Sequence, residues 1–387
     1  MTNHKFCLRT KIMKQFILKS LLIVALFLLI GSCNNDGQEI NTTEDFDSYL
    51  QEEMDAQKMP ALSVLIFKED NILHETYLGQ TNIVQNTSLV NDHLFLLASV
   101  SKVITATALL QLYDDGLLSL DDNINDYLSF TVNHPDYTTA ITIKMLLTHT
   151  SGIADGSALD SQYYYGEDSP IALDSFMENY LVPNGSFYAD ENFYPFEPGE
   201  KHEYSNTGSA LMAVLVEQIS GMSFNEYCKQ HIFIPLQMTN TSWRLDEITQ
   251  TIVQPYKYTN NQFEAIDHYT FTDYPNGGLR STAQDLSTFF GAFTLDGTVN
   301  NYELLKAQTI SEMLTPQIPS IDNEVGLHIF QMEKDNNLWG HDGGEQGTST
   351  LVAFNSSTKV GAIILTNRED MDLDDILIEA YLLGLKL

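Results

Sequence analysis

The chain has 387 residues, with 52 acidic and 19 basic side chains and a formal net charge of −33. A surface this acidic repels nucleic acid and anionic lipid headgroups, so polynucleotide binding is excluded as its business. Its length accommodates one large or two ordinary domains.

Residues 1–32 read as a leader. Basic residues up to Lys19 precede the apolar run Leu21–Ile30, and Gly31-Ser32 follow it. The run is shorter than the ~20 apolar residues of a membrane-spanning helix. Met13 would be a more usual start for such a leader than Met1. Leu29-Ile30-Gly31-Ser32-Cys33 resembles the bacterial lipobox, which implies lipidation of Cys33 and a tether over residues 33–43. The chain would then be lipid-anchored in the cell envelope, outside the cytoplasm, touching membrane through that anchor only. Of the three cysteines, Cys7, Cys33 and Cys228, only Cys228 would stay free, so no internal disulfide is expected. Cys228 falls in a helical pattern and reads as a small buried apolar residue.

Glu44–Lys58 is an amphipathic helix ended by Pro60, followed by strands at Ala61–Phe67 and Ile72–Tyr77. Ser99-Val100-Ser101-Lys102 then opens an apolar helical run, Val103 to Tyr113. Residues three apart on a helix share a face, so the Lys102 amine would sit beside the Ser99 hydroxyl. A lysine desolvated by apolar walls loses its charge and can act as a base toward a serine nucleophile. A second S-x-x-K, Ser356–Lys359, lies between two β-like runs and reads as a hairpin loop.

Beyond Leu117 strand-like alternation is scarce. Helices are expected at Ile143–Leu147, Ile171–Tyr180, Thr207–Ser220 and Phe224–Phe233, with loops at Tyr163–Ser169 and Tyr188–Lys201. Helices at Ala283–Phe293 and Gln308–Leu314 lead to strands at Val325–Gln331, Leu338–Gly340, Thr348–Phe354 and Val360–Thr366. A helix over Leu373–Leu385 closes the chain. Strands near the N-terminus would pair with strands near the C-terminus. This gives an α/β (α+β) domain of residues 44–116 and 275–387 and a helical insert of residues 117–274.

Two further motifs complete the set. Tyr204-Ser205-Asn206 opens the helix Thr207–Ser220, and His341-Asp342-Gly343-Gly344 holds the one H-x-G of the chain. With Ser99–Lys102, these three in this order resemble the serine β-lactamase and penicillin-binding-protein superfamily. The closest resemblance is to its class C-like branch of D-Ala-D-Ala carboxypeptidases, D-aminopeptidases and esterases. The likeness covers about residues 44–387, including Leu146-Leu147-Thr148-His149-Thr150-Ser151-Gly152. It implies an antiparallel sheet flanked by helices and a small peptide, amide or ester substrate. No metal-ligand spacing and no phosphate-binding glycine loop stands in the sequence, so no metal or cofactor is expected.

The resemblance also implies roles. Ser99 would form an acyl-enzyme and Lys102 would take its proton. Tyr204 would be the second acid/base, its phenol pKa lowered by the Lys102 cation. Asn206 would hydrogen-bond Lys102 and a substrate amide, while His341 and Gly343 would line the site. The N–H groups of Ser99 and Gly344 would form the oxyanion hole, with a glycine at 344 admitting the backbone. His149 reads as a structural histidine.

One departure bears on substrate. His341 and Asp342 stand where many members carry lysine and threonine that hold a substrate carboxylate. Histidine has an unperturbed pKa of ~6.5. Carboxylate-bearing substrates should therefore be weakly held, more so above pH 7, and less so if Asp342 points away from the cleft. A D-peptidase, D-aminopeptidase or esterase fits better than an efficient β-lactamase. A catalytically silent penicillin-recognising lipoprotein is the alternative from another class, and the oligomeric state is left open.

Overall fold

The acidic segment after Thr42 folds as α1 (Thr43–Gln57). The Thr42 side chain caps it by accepting the Asp45 N–H at 3.1 Å, and Lys58 turns the chain out in a left-handed conformation. The computed structural model describes residues 40–387. The leader and Cys33 lie outside the described residues.

The chain continues through β1 (Ala61–Lys68), β2 (Asn71–Asn82), β3 (Thr87–Ser88) and β4 (Phe95–Leu96) to α2 (Ser101–Asp114). Then come α3 (Ile143–Leu147), β5 (Tyr163–Tyr165), α4 (Leu173–Leu181) and α5 (Asn206–Ser220). Next is α6 (Phe224–Cys228), which runs into a π-helical turn at Lys229–Phe233. The short strands β6 (Tyr256–Thr259), β7 (Gln262–Ala265), β8 (Tyr269–Phe271) and β9 (Arg280–Ser281) precede α7 (Ala283–Thr294). After β10 (Thr298–Val299), β11 (Tyr302–Glu303) and α8 (Ala307–Met313) come β12 (Phe330–Glu333), β13 (Leu338–Glu345), β14 (Thr348–Phe354) and β15 (Val360–Thr366). The last helix is α9 (Asp374–Lys386).

The main sheet has the order β12-β13-β14-β15-β1-β2-β3. The two ends of the chain meet where β1 pairs antiparallel with β15, Leu62 opposite Thr366 and Lys68 opposite Val360. β14, β15 and nearly all of β1 are buried along their length, and their central residues, Val64–Phe67, Leu351–Phe354 and Ala362–Leu365, are continuously apolar rather than alternating. Helices cover both faces. Phe290 and Phe293 of α7 pack on Phe354 of β14, while Gly384 of α9 lies against Ile66 and Val360. Residues Thr42–Leu387 form one compact unit, and one apolar core runs from the sheet through α2 into α4 and α5. Among the described residues no helix is long and apolar enough to cross a membrane.

The structure corrects three sequence expectations. Tyr163–Tyr165 is not loop but strand β5, paired with β8. Val325–Gln331 is a strand only from Phe330, because His328 has a positive φ of 59° and Gly326 is pressed against the Met313 carbonyl. Conversely, β13 runs past Gly340 to Glu345, carrying the whole His341–Gly344 motif on a strand. The glycine-rich composition concealed that strand.

Gly291 sits mid-helix in α7, and a Cβ there would stand 2.5 Å from the Glu69 carbonyl oxygen in the turn between β1 and β2. Helix propensity alone favours Gly→Ala by ~1 kcal/mol. Packing reverses the sign, so Gly291→Ala is expected to lower the urea midpoint.

Candidate active site

Ser99 lies in a single 3₁₀ turn, Ala98–Val100, that leads directly into α2. Ala98 enters this turn with φ at +48° although it is not glycine. Such a conformation costs ~1–3 kcal/mol and is found where the surroundings impose it. Here the imposition is visible. The Leu97 N–H donates to the Leu279 carbonyl at 2.9 Å, and the Leu97 carbonyl accepts Thr350 Oγ1 at 2.7 Å. The turn is clamped from both sides and presents the half-exposed Ser99 side chain.

One turn later, Lys102 is 0% exposed. Its Nζ donates to Ser99 Oγ at 3.0 Å and to the Asn276 carbonyl at 2.6 Å. Burial pushes the amine down to about 7, while Asp155, Asp273, Glu345 and Asp342, in that order, oppose the shift. Asp273 is buried too. Burial lifts its carboxyl to about 7, and the Asn276 amide donates to its Oδ2 at 2.7 Å. The Lys102 Nζ also lies 5.0 Å from the centroid of the Tyr204 ring.

Tyr204 belongs to the segment that enters α5. Its hydroxyl is buried and faces Ser99 without completing a hydrogen bond. The expectation of a lowered phenol pKa is overturned. Burial raises it, a smaller lowering comes from Ser99, and Asp342 and Asp155 raise it further. The reason is the hydroxyl's dry surroundings beside a lysine already pushed toward neutrality, so no full positive charge favours the phenolate.

Asn206 also differs from expectation. Its Nδ2 donates to Asp155 Oδ2 at 2.9 Å rather than engaging Lys102. Asp155 is the residue that sequence reasoning missed. Its carboxylate accepts the backbone N–H groups of Asn206 and Thr207 at 3.0 and 2.9 Å, and the Thr207 hydroxyl at 3.0 Å. It thereby caps α5 from a distant loop and fixes the Tyr204 segment. The capping signal is spatial: 51 residues separate donor from acceptor.

On β13, residues alternate faces. His341 and Gly343 are buried, whereas Asp342 and Gly344 are exposed. The His341 Nδ1 bonds the Asp342 carbonyl at 2.5 Å, and its ring meets Tyr204 and Phe330 edge-on. Burial pushes the imidazole down to about 4 against the pull of the Asp342 carboxylate, with Lys102 adding to the lowering. The expected charge change near pH 7 is therefore moved to acid, and His341 is a neutral group across the physiological range. The Asp342 side chain is 74% exposed and leaves the sheet on the face opposite His341.

Beyond Gly340, β12 no longer pairs with β13, so the edge carrying His341–Gly344 faces the Ser99 turn. The steric demand for glycine falls at 343, not 344. A Cβ at Gly343 would stand 2.4 Å from Thr350 Oγ1, 2.5 Å from the Leu97 carbonyl and 3.0 Å from the Ser99 nitrogen. A Cβ at Gly344 would meet nothing within 4 Å. Ser99, Lys102, Tyr204, His341 and Gly343 are thus brought together. The second S-x-x-K copy, Ser356–Lys359, lies in the turn between β14 and β15, where Lys359 pairs with Glu69 at 2.7 Å. Cys228 is a buried free thiol, its pKa raised by burial.

Comparison with known proteins gives consistent matches. Residues 46–385 match the sequence profile of the family described as Beta-lactamase. Penicillin-binding protein 4* of Bacillus subtilis is 27% identical over 325 residues, covering 80% of this chain and 68% of that protein. Beta-lactamase-like protein 4 of Dictyostelium discoideum is 25% identical, covering 90% of this chain and 64% of that protein. The chain thus spans about two thirds of the length of these curated relatives. The octameric penicillin-binding protein homologue from Pyrococcus abyssi superposes with a TM-score of 0.70 at 22% identity, covering 88% of this chain and 76% of that one.

The contact between β13 and the Ser99 turn predicts an asymmetry between neighbouring glycines. Gly343→Ala overpacks that contact and is expected to cost ~1–3 kcal/mol in urea denaturation. Gly344→Ala, whose methyl group enters open space, should leave the midpoint unchanged.

Proposed function

Because the chain belongs to the beta-lactamase family, we propose that it is a serine hydrolase working through an acyl-Ser99 intermediate on a peptide, amide or ester. The observation that carries this reading is the buried Lys102 amine, donating to Ser99 Oγ at 3.0 Å with its pKa near that of a neutral-pH base. Neutral Lys102 takes the Ser99 proton as Oγ attacks the substrate carbonyl. Tyr204, protonated at rest, gives its hydroxyl proton to the leaving group and is reprotonated by the Lys102 ammonium. Water then attacks the acyl-serine by the reverse transfers. In this reading the N–H groups of Ser99 and Gly344 hold the oxyanion. One such donor is typically worth ~10²–10³ in rate.

The same geometry supports a preference for substrates without a free carboxylate. The family's lysine position holds a neutral, buried histidine, and the strongest charges acting on Lys102 are four carboxylates. An amine-bearing acyl donor, such as a D-amino-acid amide or ester, fits better than an anionic terminus. The lipid anchor at Cys33 and a cell-envelope location remain part of the proposal, supported by the leader pattern alone.

Intact-protein mass spectrometry after a fluorophosphonate is expected to show one adduct on wild type and none on Ser99→Ala. No adduct on wild type would favour a silent penicillin-recognising scaffold instead. The kcat/KM should rise with pH through about 7, because only the deprotonated Lys102 accepts the serine proton. A D-Ala-D-Ala methyl ester should be preferred over the free acid from mildly acidic to mildly alkaline pH, since His341, pushed down to about 4, offers a carboxylate no positive charge there. A preference for the free acid across that range would overturn the neutral-histidine argument.

A further inference from the structure

His149 occupies the end of α3, at the left-handed position of a helix-stopping motif. The His149 N–H bonds the Leu146 carbonyl at 3.3 Å, and the Thr150 N–H bonds the Met145 carbonyl at 2.9 Å. That pair of bonds is the Schellman arrangement, whose left-handed residue is ordinarily glycine or asparagine. Here it is a histidine with φ at +52°. Helix termination alone does not call for an imidazole in this place, so the ring has another task.

Its contacts converge on Tyr204. The His149 carbonyl accepts the Glu203 N–H at 2.9 Å, and its Nδ1 accepts the Ser205 N–H at 3.1 Å. Both chain neighbours of Tyr204 are therefore tied to this one residue. Between those ties the His149 ring stacks on the Tyr204 ring, with centroids 4.4 Å apart and planes at 24°. The opposite side of His149 stacks on His328, again at 4.4 Å. His328 is itself held in a left-handed conformation, and its N–H donates to the Leu147 carbonyl at 2.7 Å. Its Nε2 meets Ser209 Oγ at 2.9 Å, and Ser209 Oγ bonds the Ser205 carbonyl at 2.8 Å. His328, at the far end of the stack, is thus tied to the last residue of α3 and to the first turn of α5.

We propose that His149 is a positioning residue for Tyr204, holding the phenol at Ser99 through its ring face and through the Ser205 N–H, with His328 as its backstop. This inference rests on the acyl-Ser99 reading and assigns His149 no contact with substrate. The His149 ring must accept at Nδ1 to make the Ser205 bond, so it acts as the neutral tautomer protonated at Nε2.

The test is a cycle between His149 and Tyr204, read by the single-turnover rate of Ser99 labelling with a fluorophosphonate and by kcat and KM on an ester. His149→Gly suits the backbone at this position and deletes the ring. His149→Asn also suits the backbone and retains a short acceptor toward the Ser205 N–H. His149→Gly is expected to lower kcat and the labelling rate roughly 10- to 100-fold with little change in KM, the size of effect that a small misplacement produces. His149→Asn should recover part of that loss. In a Tyr204→Phe background, His149→Gly should cost less than about threefold, because the group it positions is already gone. The same fold-loss in both backgrounds, or wild-type labelling by His149→Gly, would overturn the proposal. Should His149→Gly fail to fold, the His149→Asn cycle gives the same discrimination. An unlabelled wild type would overturn the acyl-serine reading itself, an outcome distinct from labelled wild type with indifferent His149 variants.

Discussion

The arrangement depends on one amine kept out of water. Lys102 is fully enclosed between the α2 helix and the Asn276 carbonyl, and its remaining partner is the Ser99 hydroxyl. Desolvation disfavours the ammonium form far more than an exposed lysine would experience, and the surrounding carboxylates restore only part of that charge preference. The result is a group that exchanges its proton near neutrality. Every other element of the cleft can be understood as building, drying or aiming around that group.

Building it requires backbone conformations that the chain does not adopt freely. Ala98, His149 and His328 all take positive φ without being glycine. Each is held by contacts on both sides: Ala98 by the ties of the preceding residue to Leu279 and Thr350, His149 by the α3 stop and the Tyr204 segment, and His328 by Leu147 and Ser209. Gly343 shows the opposite solution, since removing its Cβ is what lets β13 lie on the Ser99 turn. At the site, strain and close approach serve a place where several elements meet within a few ångströms, and the helical layers on the sheet use close approach as well, at Gly291 of α7 and Gly384 of α9.

The electrostatics of the cleft support the proposed preference for substrates without a free carboxylate. His341 sits in the position where a cation would be expected, yet its burial beside Tyr204 and Phe330 keeps it neutral. Asp342, one residue on, leaves by the other face of the strand. The acidity of the whole chain is therefore repeated at the site itself, through Asp155, Asp273 and Glu345 around Lys102.

The sequence alone determined what depends on spacing and periodicity. The three-residue step from Ser99 to Lys102 survives as a direct hydrogen bond because a helix repeats every 3.6 residues wherever it forms. The β-like patterns of β1, β14 and β15 declared strands, and the order of the three motifs carried the resemblance to the family. Tertiary structure decided what depends on neighbours remote in the chain. Asp155 reaches the α5 N-terminus from 51 residues away, and Asn206 answers to it rather than to Lys102. The Tyr204 phenol rose instead of falling, because its dryness is a property of the assembled cleft. His149, read as a structural histidine, stacks on Tyr204 and bonds the Ser205 N–H, partners the sequence could not name because a ring stack between two loops leaves no trace in local pattern. Local interactions are written in short spacings; desolvation and long-range contact exist only once the chain has closed around them.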